Sequence, residues 1–401
     1  MRIVVYVAGM NHPAVASNIR DLIRGFELNN HTVIPCYLGN MDSMVQANSM
    51  VNLHKNVQLT VGFNNAGADI ASHRQECPHV TILFDEPFNI NASGFSIKVP
   101  KHIVTYLDRS DDMILDYIDG QCRKLDAEYA KLPPKHKLFM PLGAFPAEED
   151  IFSEPRPYDA VFSSSVWHID ETPPWRNGTE PTPPYIAALM DDAMLVMKQF
   201  PVSVRDAFRE VLKARGMYDE EYLKKLFPHF WSVLSYVKPW RKIETVKHLV
   251  ATGRDVHIIG GGTDNHSWKD YVSGDNVTFH GMIPYDEMLA VVRKSKVLVT
   301  DAAGFNDGAH DRVFIGMLNG AAVIAEYSYY LDEFFDNQRE IFLYDWQNTA
   351  EHIGVIHKLI DDDNYRLSIV KSVYERAVRD CTWKSRTANI LDAAAVLYGV
   401  C

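Results

Sequence analysis

Residues 297–328 read VLVTDAAGFNDGAHDRVFIGMLNGAAVIAEYS and contain the pattern of a strand, a loop, a helix and a second strand. The opening VLVT is a short apolar, β-branched run, which is typical of a buried strand. An apolar helical run follows Arg312 and breaks at Asn319-Gly320, and AAVIAEYS predicts the next strand. Consecutive strands joined through a helix run parallel, so this stretch predicts one unit of a parallel sheet with covered faces.

The same alternation runs through most of the chain. The other segments with a strand pattern are RIVVYVAG, HTVIPCYLG, VQLTVGF, HVTILFD and HIVTYLD in the first part of the chain, and YDAVFSSS, DVHIIGGG and NVTFHGMIP in the second. We therefore predict an α/β protein of two Rossmann-like domains, in which ligands lie at the carboxyl ends of the strands, in the cleft between the domains.

Prolines and polar residues in KLFMPLGAFPAEEDIFSEPRP place the domain boundary near residue 150. We predict a first domain over residues 1–150, a second over 151–380, and a terminal helix over 381–401 that packs back on the first domain. The second domain is interrupted at about 167–236 by a proline-rich loop and an amphipathic helical stretch. A further helix is expected from about Arg241 to Thr252.

Composition excludes several classes of function. The 401 residues carry a net charge of −12, which argues against a broad nucleic-acid-binding surface but not against a local phosphate pocket. The five cysteines are scattered without a CxxC pair, so a reducing compartment is expected. No apolar run has the length of a membrane span and the start lacks a signal-peptide pattern. A cytoplasmic location is expected, and peripheral contact with a membrane stays open.

Two glycine-containing strand ends in the second half could approach a ligand. Gly260 and Gly261 end a strand, where glycines allow a close backbone approach and can present N–H groups to a phosphate. Met282 and Ile283 follow another strand, where the backbone could bond the edge of a nucleobase. An ordinary tight turn is the alternative for each pair, and no GxGxxG fingerprint supports a dinucleotide cofactor.

Positive groups at two predicted helix starts are candidate phosphate ligands. Arg312 lies in the first turn after a loop that contains Asn306, Asp307 and Gly308, and its guanidinium can hold two phosphate oxygens at once. A salt bridge to Asp307 or Asp311 is the alternative. The second set, which has a solvated helix face as its alternative, is Lys238, Arg241 and Lys242.

Candidate catalytic groups follow strands of the first half. His12 comes directly after the first predicted strand, and an imidazole with an ordinary pKa near 6.5 suits a general base. Asp85 ends the run TILFD and could accept a proton from an acceptor hydroxyl or bind a sugar. Helix capping and a plain turn are their respective alternatives. The histidines show no HExxH-type spacing, so we expect no metal site.

Taken together, these segments resemble the CgeB-like (spore-maturation-protein-like) glycosyltransferases of the GT-B fold, whose second half is similar to glycosyltransferase group 1 domains. The matching stretches outside the insertion include ILFDEPF, KLFMPLGAF, PWRKIETVKHLVATGRDVHIIGGG, NVTFHGMIPYDEML, DGAHDRVFIGMLNGAAVIAEYSYYLDEFF and VRDCTWKSRTANIL. The resemblance implies transfer of a sugar from a UDP-, GDP- or dTDP-sugar to an unknown acceptor, which could be a glycan, a protein or a small molecule.

The resemblance also implies a distribution of roles. The first domain would be the acceptor side and the second would bind the donor. Gly260 and Gly261 would meet the phosphates, Arg241 and Arg312 would neutralise them, and the backbone of Met282-Ile283 would meet the base. Stabilisation of the leaving diphosphate by positive groups needs no metal and no cofactor.

One residue departs from the family pattern. Related sequences read RVFEALACG, with a glutamate that typically binds the ribose hydroxyls, whereas this chain has Ile315 in RVFIGMLNG. An isoleucine accepts no hydrogen bond. Glu326 or Asp311 would then reach the ribose, the donor would lack a 2′-hydroxyl, or donor binding has been lost.

Three functions remain open at this point. A glycosyltransferase is favoured, with a GT-B nucleotide-sugar epimerase as one alternative. The other is a non-catalytic, glycosyltransferase-like nucleotide-binding or partner protein, for which the helical insertion would be a docking surface. In the enzyme the same insertion would be a lid over the acceptor.

Overall fold

The computed structural model describes residues 1–8, 13–38, 56–64, 66–67, 70–71, 77–84, 87, 97–148, 150–179, 181–262, 266–302, 304–345 and 349–400. These residues form two compact units. Residues 1–145 and 378–401 make the first unit, and residues 146–377 make the second.

Each unit is built on a six-stranded parallel sheet. The strands of the first sheet are β1 (Arg2–Val7), β2 (Thr32–Tyr37), β3 (Leu59–Phe63), β4 (His79–Ile82), β5 (His102–Tyr106) and β6 (His136–Phe139). Those of the second are β7 (Tyr158–Ser163), β8 (Val256–Ile259), β9 (Val277–Gly281), β10 (Ser295–Thr300), β11 (Ala322–Glu326) and β12 (Phe342–Tyr344). The central strands are buried apolar runs, because helices cover both faces of a parallel sheet.

Helices connect most of these strands. Numbered along the described residues, they are α1 (Pro13–Leu28), α2 (Asp112–Leu125), α3 (Pro174–Asn177), α4 (Pro184–Gln199), α5 (Val204–Ala214), α6 (Glu220–Leu226), α7 (Phe230–Ala251), α8 (Tyr285–Lys294), α9 (Asp311–Leu318), α10 (Tyr329–Phe334), α11 (Thr349–Gly354), α12 (Ile356–Asp361), α13 (Asp363–Asp380) and α14 (Trp383–Tyr398). None of the described helices combines the length and apolar character needed to cross a bilayer.

The first sheet has the order β2-β1-β3-β4-β5-β6. Strand β6 lies in the stretch that the sequence predicts as a linker, and it pairs with β5 through Tyr106 and Phe139. It is a short, half-exposed edge strand followed by prolines, so its pattern resembles that of a loop. In the same unit, the terminal helix α14 packs on α1, and Trp383 at its start is fully buried.

A pair of buried histidines begins two strands of this sheet. In this buried histidine pair, Nδ1 of His79 lies 2.9 Å from the hydroxyl of Thr60, and Nε2 of His102 lies 2.8 Å from that of Thr81. Burial, together with the charge of Lys135, lowers the pKa of His79 to about 3. Burial, with His79 and Lys135 adding to it, holds the pKa of His102 well below its ordinary value. Both rings are therefore neutral at neutral pH.

The second sheet has the order β12-β11-β10-β7-β8-β9. Counted from β7, its first strand, this is the doubly wound order of dinucleotide-binding folds, with the chain going outward on one side and then on the other. The strand order reverses between β7 and β10. Ligands of such sheets bind outside the carboxyl ends of the strands at this switch point.

The predicted helical insertion lies between β7 and β8. It comprises α3 to α6 and the first part of α7, as the amphipathic pattern predicts. The predicted helix start at Arg241 is wrong: α7 is one helix of 22 residues with Pro239 inside it, so Lys238, Arg241 and Lys242 lie in its middle. Proline is favoured in a first helical turn, so Pro239 inside a long helix gives the sequence pattern of a helix start.

Candidate functional site

A buried carboxylate marks the switch point of the second sheet. Asp301 directly follows β10 and is 1% exposed. Its Oδ1 lies 3.3 Å from Nη2 of Arg312, which is in the first turn of α9. Arg312 forms a salt bridge, but its partner is Asp301, whereas the sequence left Asp307 or Asp311 as alternative partners.

Further positive charge surrounds Asp301. Burial alone would raise the pKa of this carboxyl, but the charges of Lys242, Arg312 and His310 outweigh it, and the pKa lies below its usual value. The ammonium of Lys242 donates to the carbonyl of Ser165 after β7, at 3.4 Å. Cations from α7 and α9 thus converge on the loops that follow β7 and β10.

Three polar atoms of the loop after β10 and the following helix are buried without a hydrogen-bond partner among the described residues. They are Oδ2 of Asp301, Oδ1 of Asn306 and Nε of Arg312. An unpaired buried polar atom is costly, and most such atoms in folded proteins have a partner. Three such atoms on one segment are hydrogen-bonding positions that a bound ligand or water would fill.

The loop around Asn306 is anchored to the start of α10. The carbonyl of Asn306 accepts from the amide of Tyr329 at 2.8 Å, and that of Gly308 accepts from the hydroxyl of Ser328 at 2.6 Å. Asp307 is half-buried and contributes, after burial and Asp332, to a raised pKa of about 12 for Tyr327. These bonds fix Asn306 and Gly308 against Ser328 and Tyr329, and a shared site of this loop with Arg312 stays a prediction.

Arg241 and Glu326, predicted as phosphate and ribose ligands, bind each other. Their side chains are 3% and 1% exposed, and Nη1 lies 2.7 Å from Oε1. Nη2 of Arg241 also donates to the carbonyls of Met197 and Phe200. The second oxygen of Glu326 accepts from the amide of Ala302 at 3.0 Å, so this ion pair holds the loop after β10 from inside the unit.

Two other predicted or flagged positions on α9 are buried. Asp311 is 5% exposed and in contact with His310, whose Nδ1 also accepts from the amide of Arg312 at the helix start. Ile315 is 2% exposed and packs inside the unit. Neither Asp311 nor Glu326 is an open carboxylate, because Asp311 is buried against His310 and Glu326 is paired with Arg241.

The glycines after β8 serve close backbone packing. Gly260 has φ of 135°, and a Cβ there would lie 2.2 Å from the carbonyl oxygen of Ser164. Its amide donates to the carbonyl of Gly281 at 2.8 Å, and the carbonyl of Gly261 accepts from Val166 at 3.0 Å. The tight turn that the sequence left as the alternative for this pair is present. The amide of Gly260 already donates to the carbonyl of Gly281 at the end of β9.

The predicted base-binding segment lies beside these glycines. Met282 is 60% exposed, and its Cε would be 3.3 Å from a Cβ placed on Gly261; Ile283 is half-buried. Gly260, Gly261, Met282 and Ile283 thus form one group after β8 and β9, and the Arg312 group follows β10. Both lie at the carboxyl edge of the second sheet.

His12 and Asp85, the predicted catalytic residues, lie outside the described residues. Among those described, no group of three His, Cys, Asp or Glu side chains is arranged to hold a metal ion. Sequence reasoning missed Asp301 as a site residue. Its position directly after the strand VLVT was the available signal, since strand ends of parallel sheets carry site residues.

Comparison with known proteins agrees with this architecture. A family model described as glycosyl transferase-like matches residues 240–392, which include Lys242, Asp301 and Arg312. No curated protein matches the sequence.

Three solved structures resemble the chain over almost its whole length. Sucrose-phosphate synthase from Thermosynechococcus elongatus has a TM-score of 0.55 at 10% identity, and 100% of each chain is covered. AviGT4, a glycosyltransferase involved in avilamycin A biosynthesis, has a TM-score of 0.51 at 10% identity, with 100% of this chain and 98% of that chain covered. HepE from Anabaena, in complex with UDP-glucose, has a TM-score of 0.51 at 11% identity, with 99% and 100% covered. The predicted fold class, a GT-B fold of two parallel α/β sheets, is confirmed.

Proposed function

We propose that this chain is a glycosyltransferase that binds a nucleotide-diphosphate sugar at the switch point of its second unit. The observation that carries the proposal is the cluster at the end of β10, where Lys242 and Arg312 flank Asp301. Beside it lie three buried atoms without a described partner. A diphosphate would accept hydrogen bonds from the Arg312 guanidinium and the Lys242 ammonium, and sugar hydroxyls would donate to the acceptor oxygens of Asp301 and Asn306.

The positive groups also fit the chemistry of the reaction. Negative charge develops on the leaving diphosphate as the sugar bond breaks, and fixed cations in a partly buried site stabilise that charge most effectively. Asp301 would hold Arg312 in place before the donor arrives. In this proposal, which needs no metal ion, Asn306, Asp307 and Gly308 contact the sugar or diphosphate, and Met282 and Ile283 contact the base.

The roles of Arg241 and Glu326 change in the proposal. Because they are paired inside the unit, we propose that they support the loop after β10 and do not contact phosphate or ribose directly. We retain His12 as general base and Asp85 as acceptor-side residue for an inverting transfer. The proposal also includes membership of the CgeB-like subgroup and transfer of a hexose. These two points rest on the sequence resemblance.

A thermal-shift screen against UDP-, GDP-, ADP- and dTDP-sugars tests the function. Stabilisation by one donor together with slow donor hydrolysis supports the transferase. Conversion of the donor to its epimer without an acceptor would instead identify the epimerase. A chain stabilised by no donor would be a glycosyltransferase-like partner protein, and the proposal would fail.

Arg312→Ala tests the site itself. The loss of one charge-assisted contact, about 1.5–3 kcal/mol, should weaken nucleoside-diphosphate binding in calorimetry by roughly ten- to hundredfold. Arg339→Ala removes an arginine whose side chain is 81% exposed and should leave the affinity unchanged. Equal affinities of the two variants would remove Arg312 from the site.

A further inference from the structure

A basic pocket lies at the amino-terminal edge of the second sheet, opposite the Asp301 and Arg312 cluster. It is a cavity of about 280 Å³ whose lining includes the charged side chains of Glu154, Arg156, Arg293 and Lys294. Arg156 precedes β7, and Lys294 directly precedes β10. Since β10 has six residues at about 3.3 Å each, the pocket is roughly 20 Å from Asp301 at the other end of the strand.

Arg156 is a buried cation held by main-chain carbonyls. It is 9% exposed, and its guanidinium donates to the carbonyls of Ser295, Ile151 and Asn319 at 2.9, 3.1 and 3.0 Å. No carboxylate among the described residues is within ion-pair distance of it, and burial lowers its pKa to about 10. Carbonyl dipoles satisfy its hydrogen bonds but leave a buried charge that an anion in the cavity would balance.

The two arginines are fixed by one residue. Asn319 is fully buried; its main-chain oxygen accepts from Arg156, and its side-chain oxygen accepts from Nε of Arg293 at 3.0 Å. Its amide nitrogen donates to the carbonyl of Ile315 at 2.9 Å, which sets the orientation of the side chain. Both guanidinium groups are therefore held before a ligand binds, which lowers the entropic cost of binding.

The remaining lining limits the class of ligand. Three cations and one carboxylate leave an excess of two positive charges, which matches a phosphate dianion. Ile151, Pro155 and Ala290 add an apolar wall. The volume of about 280 Å³ lies just below the roughly 300–1,000 Å³ typical of small-molecule sites, so the ligand is small.

We propose that this pocket binds a small phosphorylated molecule, with the phosphate on Arg293 and Lys294 and its non-polar part against Ile151, Pro155 and Ala290. Arg156 supplies the buried charge that favours the anion. The proposal stands on residues outside the donor site and does not depend on the proposed function.

Calorimetric titration with inorganic phosphate and with phenyl phosphate tests the proposal. Both should bind saturably, phenyl phosphate more tightly because its ring reaches the apolar wall, and phenol should bind at least tenfold more weakly than phenyl phosphate. Arg293→Gln/Lys294→Gln should lower the affinity for phenyl phosphate at least tenfold. Lys294→Gln alone should lower the affinity for phenyl phosphate about threefold. Because Lys294 is exposed, this variant tests the pocket even if replacing Arg293 impairs folding.

Matched variants distinguish binding in this pocket from binding elsewhere on the chain. Lys224→Gln/Lys225→Gln removes two adjacent cations from the last turn of α6 and should leave phosphate binding unchanged. Arg312→Ala should also retain it. An absence of saturable binding, equal affinity in the Arg293/Lys294 variant and the native chain, or loss of binding in Arg312→Ala alone would each overturn the proposal.

Discussion

Replacing Arg241 with methionine separates a structural role of this arginine from donor binding. The substitution keeps most of the side-chain volume but removes the charge that faces Glu326. It leaves Glu326, 1% exposed, with the amide of Ala302 as its remaining partner among the contacts described above. It also removes the donors to the carbonyls of Met197 and Phe200.

The expected loss of stability is large. Removing one partner of a buried ion pair costs about 3–5 kcal/mol, because the other charge stays buried without its counter-charge. For a folded unit of about 150–250 residues, each kcal/mol lowers the melting temperature by roughly 2–4 °C, so a decrease of about 10 °C is expected. Glu326→Gln in the Arg241→Met background removes the remaining buried negative charge and should recover more than half of the lost free energy of unfolding.

The coupling energy of the pair is obtained from urea unfolding of the native chain, the two single variants and the double variant. The structural role predicts a strong coupling, and a donor affinity in the double variant within a few-fold of the native value. If Arg241→Met unfolds with the native free energy but binds nucleoside diphosphate far more weakly, Arg241 is a direct phosphate ligand and our assignment is wrong.

Three further predictions follow from other parts of the structure. The buried histidine pair has lowered pKa values in the folded chain, so below pH 6.5 the unfolded chain binds protons that the folded chain does not. Its unfolding free energy should therefore fall with decreasing pH by up to about 1.4 kcal/mol per unit for each ring, and Gln replacements of both should flatten that profile in urea titrations. Gly320→Ala should destabilise by about 1–3 kcal/mol, since φ is 77° and a Cβ would lie 2.1 Å from Arg156. Gly178→Ala, with φ of 85° but open space around it, should cost less, and equal losses would refute the steric argument. Because Ile315 offers no acceptor, UDP and its 2′-deoxy analogue should differ in calorimetric affinity by less than about threefold, whereas a tenfold difference would reveal a ribose ligand.

The sequence predicts the fold well because strand and helix periodicities are strong where elements are buried. The unit from β10 to β11 follows the quoted pattern closely, and the helical insertion lies where amphipathicity indicates it. The failures concern β6 and β12, a half-exposed edge strand and a strand of three residues, which carry too few residues for a periodic signal. The start of α7 was misplaced because Pro239 is within a helix.

The site was harder to predict, because residue type does not reveal the partner. The sequence places both Arg241 and Arg312 near a predicted helix start. In the structure Arg241 is paired with Glu326 in the interior, whereas Arg312 reaches Asp301 at the switch point. The pairing joins residues 85 positions apart, which only the folded sheet brings together. The Asn319-Gly320 break similarly predicts a helix end, but not that it anchors two guanidinium groups.

The position of Lys242 beside the loop after β7 makes donor binding measurable by tryptophan fluorescence. The ammonium lies 5.9 Å from the ring centroid of Trp167, an indole that is 37% exposed, while Trp175, Trp268 and Trp383 are buried. A ligand that attracts Lys242 alters the electric field at Trp167, and the Trp167→Phe chain measures the contribution of the other tryptophans. Intrinsic fluorescence, with Trp167→Phe as its blank, therefore reports occupancy of the switch point without a label.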